Sequence, residues 1–125
     1  MGFHKWPDFS QWESARKGTW RRVASTEGMT VTRCEVKPDA RYDGSLHRHS
    51  EEQAIVMLEG RLRLRVGEEE RWMEPGDLAF IPANAYHGGL GVGPDGAVYL
   101  EIFAPGRMDY LPGFVGPRKT EFREF

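Results

Sequence analysis

The sequence predicts an all-β domain, and three observations carry that expectation. Fifteen glycines and eight prolines are spread along 125 residues, which cuts the chain into pieces too short for good helices. Between Arg61 and Val66, the apolar Leu62, Leu64 and Val66 alternate with Arg61, Arg63 and Arg65, the period of two that a half-buried strand requires. Strand-like runs and turn signals recur at spacings of about 8–12 residues, the rhythm of a sandwich or barrel.

Taken in order, Trp20 to Val23 and Thr30 to Val36 read as strands around a turn at Glu27-Gly28. Ala54 to Leu58 is a continuous apolar run ending in Glu59-Gly60. That pair reads as a tight turn, which would make the run a neighbour of the Arg61–Val66 strand. Gly67 to Glu70 turns the chain again, and Arg71 to Met73 is a short strand closed by Glu74-Pro75-Gly76-Asp77. There proline presets one turn angle and glycine permits a positive φ. Leu78 to Ile81 is the next strand, Pro82 to Asn84 a break, and His87 opens a return strand. Gly88 to Gly96 reads as a glycine-rich, mobile loop before Ala97 to Phe103 resumes β structure. The count is about seven or eight strands. Repeats, linkers and low-complexity tracts are absent from the sequence, so residues 1–125 are expected to form one domain with its barrel core at about 20–104.

Composition narrows the partners. The chain is 39% hydrophobic and 29% charged with a net charge of -2, which gives no long-range attraction for nucleic acid or acidic membranes. The arginines at 61, 63 and 65 lie beside Glu68, Glu69 and Glu70 and read as a solvated face. GVGPDG, Gly91 to Gly96, formally fits GxGxxG but opens no helix and carries Pro94, so it does not read as a dinucleotide site. The single cysteine, Cys34, allows no intrachain disulfide and reads as a buried, inert thiol in a reducing compartment. The start, MGFHKWPDFSQW, has no basic stretch followed by an apolar core. No apolar run approaches the roughly 20 residues of a membrane span. A soluble, cytoplasmic protein is expected. Phe3, Trp6, Phe9, Trp12 and Trp20 near the start, and Tyr110, Leu111 and Phe114 near the end, are too many large apolar groups for free tails. They are expected to pack on the barrel or on a second subunit.

Chemistry concentrates in the histidines. His47 and His49 are two residues apart, which on a strand puts both imidazoles on one face as a chelating pair. His87 can add a third nitrogen and Gln53 an oxygen, leaving positions open for water or substrate. The bland alternative is that these are unrelated polar residues.

The segment GSLHRHSEEQAIVMLEG, Gly44 to Gly60, resembles the first cupin motif, and GDLAFIPANAYH, Gly76 to His87, resembles the second. The resemblance implies a cupin double-stranded β-helix, a jelly-roll barrel, holding one divalent transition metal ion (zinc, nickel, iron or manganese). The implied ligands are His47, His49, Gln53 and His87, three of them drawn from the four histidines of the chain. It also implies a homodimer. Gln53 stands where the family usually has glutamate, although Glu51 and Glu52 lie next to it. Asn84 replaces the usual glycine of the second motif and tolerates positive φ. Three imidazoles and an amide leave the dipositive charge uncompensated, which favours an anionic substrate.

The last clear strand reads AVYLEIFAPGR, with Tyr99, Glu101 and Phe103 on one face and Val98, Leu100 and Ile102 on the other. Glu101 is thus an ionisable group on an apolar wall, either a paired structural acid or a general acid/base. Arg107 could meet a substrate carboxylate in a bidentate pair. The segment EIFAPGRMDYL looks like the ending of pectin-degradation cupins of the KdgF type, which linearise 4,5-unsaturated uronates to keto-deoxyuronates. Their acid, phenylalanine and arginine fall on Glu101, Phe103 and Arg107, although their acid is aspartate. The resemblance therefore implies a metal-dependent enzyme acting on a small anionic carbohydrate or keto acid, with Glu101, Phe103 and Arg107 as catalytic residues. An iron-dependent dioxygenase and a non-catalytic sugar-binding module are the alternatives the ligand set leaves open.

Overall fold

The computed structural model describes residues 2–110 and 120–123. Nine strands run in order: β1 (Gln11–Glu13), β2 (Thr19–Ser25), β3 (Thr30–Val36), β4 (His47–Arg48), β5 (Glu52–Val66), β6 (Glu69–Met73), β7 (Leu78–Ile81), β8 (His87–Ala104) and β9 (Glu121–Phe122). All pairings are antiparallel, as expected of strands joined by short turns. β1, β2, β3, β8, β4 and β9 lie side by side, while β5 pairs with β8, β6 and β7. The result is an all-β jelly-roll barrel, and no α-helix interrupts the described residues. Leu111 and Phe114, expected to pack on the barrel, lie outside the described residues.

Alternation sets the core. In β3, Thr30, Thr32, Cys34 and Val36 are buried while Val31, Arg33 and Glu35 are half-exposed, and Cys34 packs with Ile55, Met57, Leu62, Leu64, Met73, Ile81, Ala97 and Tyr99. The outward arginines are paired: Arg63 with Glu70 at 2.6 Å, Arg65 with Glu68 at 3.4 Å and Arg61 with Glu74 at 3.5 Å. Near the start, Trp6, Phe9, Trp12 and Trp20 are half-buried, whereas Phe3 is fully exposed.

Of the differences from the sequence expectation, which include the short strands β1, β4 and β9 and the start of β6 at Glu69, two turn on glycine. Glu59-Gly60 is not a turn: β5 runs straight through it, and its two halves lie end to end along β8 with register shifts between Met57 and Leu62. Gly88 to Gly96 is not a mobile loop but part of the 18-residue β8. Both strands are bulged, and the glycines are where backbones approach. Gly60 and Gly96 hold φ of 71° and 76°, and a Cβ on Gly60 would sit 2.1 Å from the Gly96 carbonyl oxygen. Glycine-rich sequence signals close contact here, not freedom.

Gly60→Ala should therefore lower stability by about 3 kcal/mol, because it combines a backbone clash with a positive φ. Urea denaturation with an unchanged m-value measures it. A loss within about 0.5 kcal/mol, the range of an ordinary surface change, would show that the bulge relaxes freely.

Candidate metal centre

The two histidine-bearing segments are held to each other by backbone bonds. His47 in β4 is the register partner of His87 at the start of β8, and Val66 of β5 flanks His87 on the other side. Between them, the Asn84 amide donates to the His49 carbonyl at 2.8 Å. Asn84 has φ of 64°, so asparagine serves the left-handed position where glycine would be usual. The ligand-type nitrogens of His47, His49 and His87 consequently lie within 4.8 Å of one another. The His47 and His87 rings are 4.4 Å apart between centroids, and His49 and His87 are 4.9 Å apart.

Hydrogen bonding fixes what these rings can do. His49 Nδ1 faces the Glu51 carbonyl at 2.9 Å and His87 Nδ1 faces the Ala85 carbonyl at 2.9 Å. A carbonyl only accepts, so each Nδ1 carries the proton and each Nε2 presents a lone pair. The Nε2 of His87 is buried with no hydrogen-bond partner among the described residues. The Nε2 of His49 lies 3.1 Å from Gln53 Oε1, an acceptor facing an acceptor. Gln53 cannot relieve this by turning over, because its Nε2 donates to Glu101 Oε2 at 2.9 Å. An electropositive centre between these atoms resolves the conflict, and the residues present fit a divalent cation on imidazole nitrogen and amide oxygen. Of the neighbouring acids, Glu52 is exposed. Glu51 is buried on the Nδ1 side of His49, its Oε1 3.7 Å from Nδ1, away from the converging lone pairs.

Behind Gln53, Glu101 is a hub. Its Oε1 accepts from Thr32 Oγ1 at 2.8 Å, Cys34 Sγ at 3.1 Å and Arg21 Nε at 3.2 Å, while Oε2 accepts only from Gln53 among the described residues. Burial by itself would raise the Glu101 carboxyl, but Arg21 and the Cys34 and Thr32 hydrogen bonds outweigh it and bring it down to about 2. The Cys34 thiol is pushed up to about 12 by burial and by Glu101, so it is a hydrogen-bond donor at ordinary pH, as the inert thiol expected from sequence would be. Burial and the adjacent imidazoles bring His47 down to about 3, and burial brings His87 down to about 4. Burial and Arg107 also lower His49. All three rings are therefore neutral in the metal-free protein, the form that ligates.

Phe103, buried, packs its ring edge-on to His49 at 5.6 Å. Arg107 is fully buried, with Nε and Nη2 donating to the two carboxylate oxygens of Asp109 at 3.0 and 2.8 Å and Nη2 also to Thr120 at 2.7 Å. The Nε/Nη2 edge expected to face a substrate is thus taken by the chain itself, Nη1 is buried with no hydrogen-bond partner among the described residues, and the guanidinium lies 4.4 Å over the Tyr110 ring.

His47, His87, Gln53 and Glu101 open on a cleft of about 340 Å³. Trp12 from β1, Tyr110 and Phe122 from β9 border it. Sequence reasoning missed Arg21, Thr32 and the closure by Trp12 and Phe122. Arg21 had a readable signal: it shares the inward face of β2 with the buried Thr19 and Val23.

The titrations fix a sign. Glu101 is depressed from 4.5 to about 2, so its stabilisation is present above pH 4.5 and lost as pH falls towards 2. His47 and His87 are depressed from 6.5, so the unfolded chain takes up protons first and their contribution is lost from pH 6.5 downward. Chelator-treated protein should show a urea midpoint that falls steadily below pH 6.5. A midpoint flat down to pH 4.5 would contradict neutral, buried histidines.

Residues 32–103 match the Cupin domain family. A comparison with curated proteins returns no match. Among solved structures, the chain resembles an RmlC-like cupin from Shewanella frigidimarina at 22% identity and a TM-score of 0.74, covering 89% of this chain and 96% of that one. KdgF from Halomonas sp. matches at 23% identity and a TM-score of 0.75, covering 89% and 99%. A single-substitution form of oxalate decarboxylase from Bacillus subtilis matches at 22% identity and a TM-score of 0.68, covering 82% of this chain and 29% of that one. With the family matched over more than half of its residues and a jelly-roll barrel bearing three convergent histidines, the chain belongs to the cupin family.

Proposed function

We propose that the chain is a metal-dependent enzyme that isomerises a small anionic carbohydrate, with linearisation of an unsaturated uronate as the reaction that best suits the site. The observation that carries this reading is the run His49 Nε2, Gln53 Oε1, Gln53 Nε2, Glu101 Oε2, which puts a carboxylate one side chain away from converging lone pairs. His47, His49, His87 and Gln53 would hold the ion. When bound, it polarises a substrate oxygen as a Lewis acid.

Glu101 is the base in this reading. Three donors saturate Oε1, whereas Oε2 has a single donor among the described residues, and Glu101 lines the cleft. An unsaturated uronate opens without water or a redox partner: the anomeric hydroxyl loses its proton, the bond from the anomeric carbon to the ring oxygen breaks, and the resulting enolate takes a proton at carbon. Oε2 can accept the first proton and return it in the last step, so atoms balance with one carboxylate. Phe103 holds the His49 ring, and Arg107 clamps Asp109 and Thr120 so that Thr120 stays at the cleft. Both are positioning residues in this scheme. The resemblance of EIFAPGRMDYL to the ending of KdgF-type cupins is the ground for choosing a uronate.

Two outcomes follow. His87→Ala should leave less than one ion per chain by elemental analysis after zinc loading, and the melting-temperature rise that zinc gives the wild type should shrink. Equal zinc content in both proteins would remove His87 from the centre. Glu101→Gln should lower kcat for loss of the unsaturated uronate by at least about 100-fold, with zinc content retained. Turnover within a few-fold of the wild type would eliminate Glu101 as the base.

A further inference from the structure

Arg21 is a cation on the cleft wall with hydrogen-bonding capacity left. It projects from the inward face of β2, opposite Cys34 in the neighbouring strand. Its Nε is committed to Glu101 Oε1. Among the described residues its two Nη nitrogens make no hydrogen bond, and the side chain retains 16% exposure, on the cleft wall shared with His47 and His87. The rings of Trp12 and Tyr110 flank the guanidinium at 6.0 and 5.6 Å. A guanidinium anchored through Nε and flanked by aromatic rings is a pre-organised fork for a carboxylate.

The other arginines nearby are placed differently, and Arg107, whose Nη1 has no hydrogen-bond partner among the described residues, does not line the cleft. Arg107 is wholly buried with its Nε/Nη2 edge on Asp109. Arg16, at the rim, lies 4.1 Å over the Tyr42 ring. The acids on the cleft wall are engaged as well: Glu101 takes only the Nε of Arg21, and Glu13 accepts from the Gly18 amide at 2.9 Å.

We propose that Arg21 is the carboxylate-binding residue of this cleft, and that the ligand is a small organic acid whose carboxylate lies on the Nη atoms while a second oxygen reaches the histidines. The second contact rests on the metal-dependent reading above; the first does not. Trp12 and Tyr110 then flank the bound acid, and neutral analogues lose the interaction that holds one end. Substrate selection is thereby assigned to the N-terminal part of the barrel, on a strand remote in sequence from every histidine of the centre.

The test compares D-galacturonate with D-galacturonamide, the same ring with the charge removed, by calorimetric titration of zinc-loaded protein. Wild type should prefer the acid by about 10-fold or more, as expected for a charge-assisted bidentate pair. Arg21→Lys should reduce that ratio several-fold and Arg21→Gln should bring it near unity, with zinc content unchanged. An arginine that serves only to neutralise Glu101 would lower the melting temperature but leave the acid-to-amide ratio as it is. An unchanged ratio in Arg21→Lys overturns the proposal, and so does a wild type that fails to distinguish acid from amide or binds neither at about 10 mM. That last comparison needs no variant, so poor folding of the glutamine form does not remove the test. Wild-type protein that takes up no zinc sinks the functional reading instead, while the ratio measured on that same protein still reports on Arg21.

Discussion

Pairing of β5 with β8 holds both the barrel and the site. These are the two longest strands, and they run beside each other from Glu52 opposite Ala104 to Val66 opposite His87. That register puts Gln53 opposite Phe103 and Ile55 opposite Glu101. Gln53 and Glu101 are therefore diagonal neighbours on one face, within reach of each other's side chains. A slip of one residue would turn both to the outside. The bulges at Gly60 and Gly96 let the same two strands wrap far enough for His87 to come back over β4.

The second constraint is electrostatic. A buried carboxylate is costly unless it is fully satisfied, and Glu101 is satisfied from β2, β3 and β5 at once through Arg21, Thr32, Cys34 and Gln53. Each donor is thereby fixed in turn. The amide of Gln53 is oriented because Glu101 is ionised, and this in turn aims its oxygen at the imidazoles. An amide in this position is a relay whose direction is set by the acid behind it, which a carboxylate at residue 53 would not be.

The fold class and the three histidines were legible because both rest on local patterns: alternation in Thr30 to Val36 and Arg61 to Val66, and the two-residue spacing of His47 and His49. The errors arose where a local signal is ambiguous. Glu59-Gly60 and Gly88 to Gly96 carry residues that serve equally in turns and in bulges, and only the partner strand decides which. Arg21 was missed for a different reason. Its partner Glu101 is 80 residues away in sequence, and a single inward arginine on a strand has no motif to announce it. Arg107 illustrates the same limit, since Asp109 occupies its fork from two residues away, a choice of rotamer that sequence does not record.

The short strand β4 has a consequence for how the molecule meets its own copies. It is flanked by β8 on one side and by β9 on the other, and β9 carries Glu121 in an ion pair with Arg48 at 3.0 Å. Among the described residues the sheet thus ends beside the histidines in a two-residue strand, Glu121–Phe122, which offers little backbone for another strand to add to. β7 pairs only with β5 among the described residues, with Ile81 opposite Gln53, and exposes Leu78 at 55% and Phe80 at 74%. Of these two edges β7 is the longer and the more apolar, so edge-to-edge association would favour it.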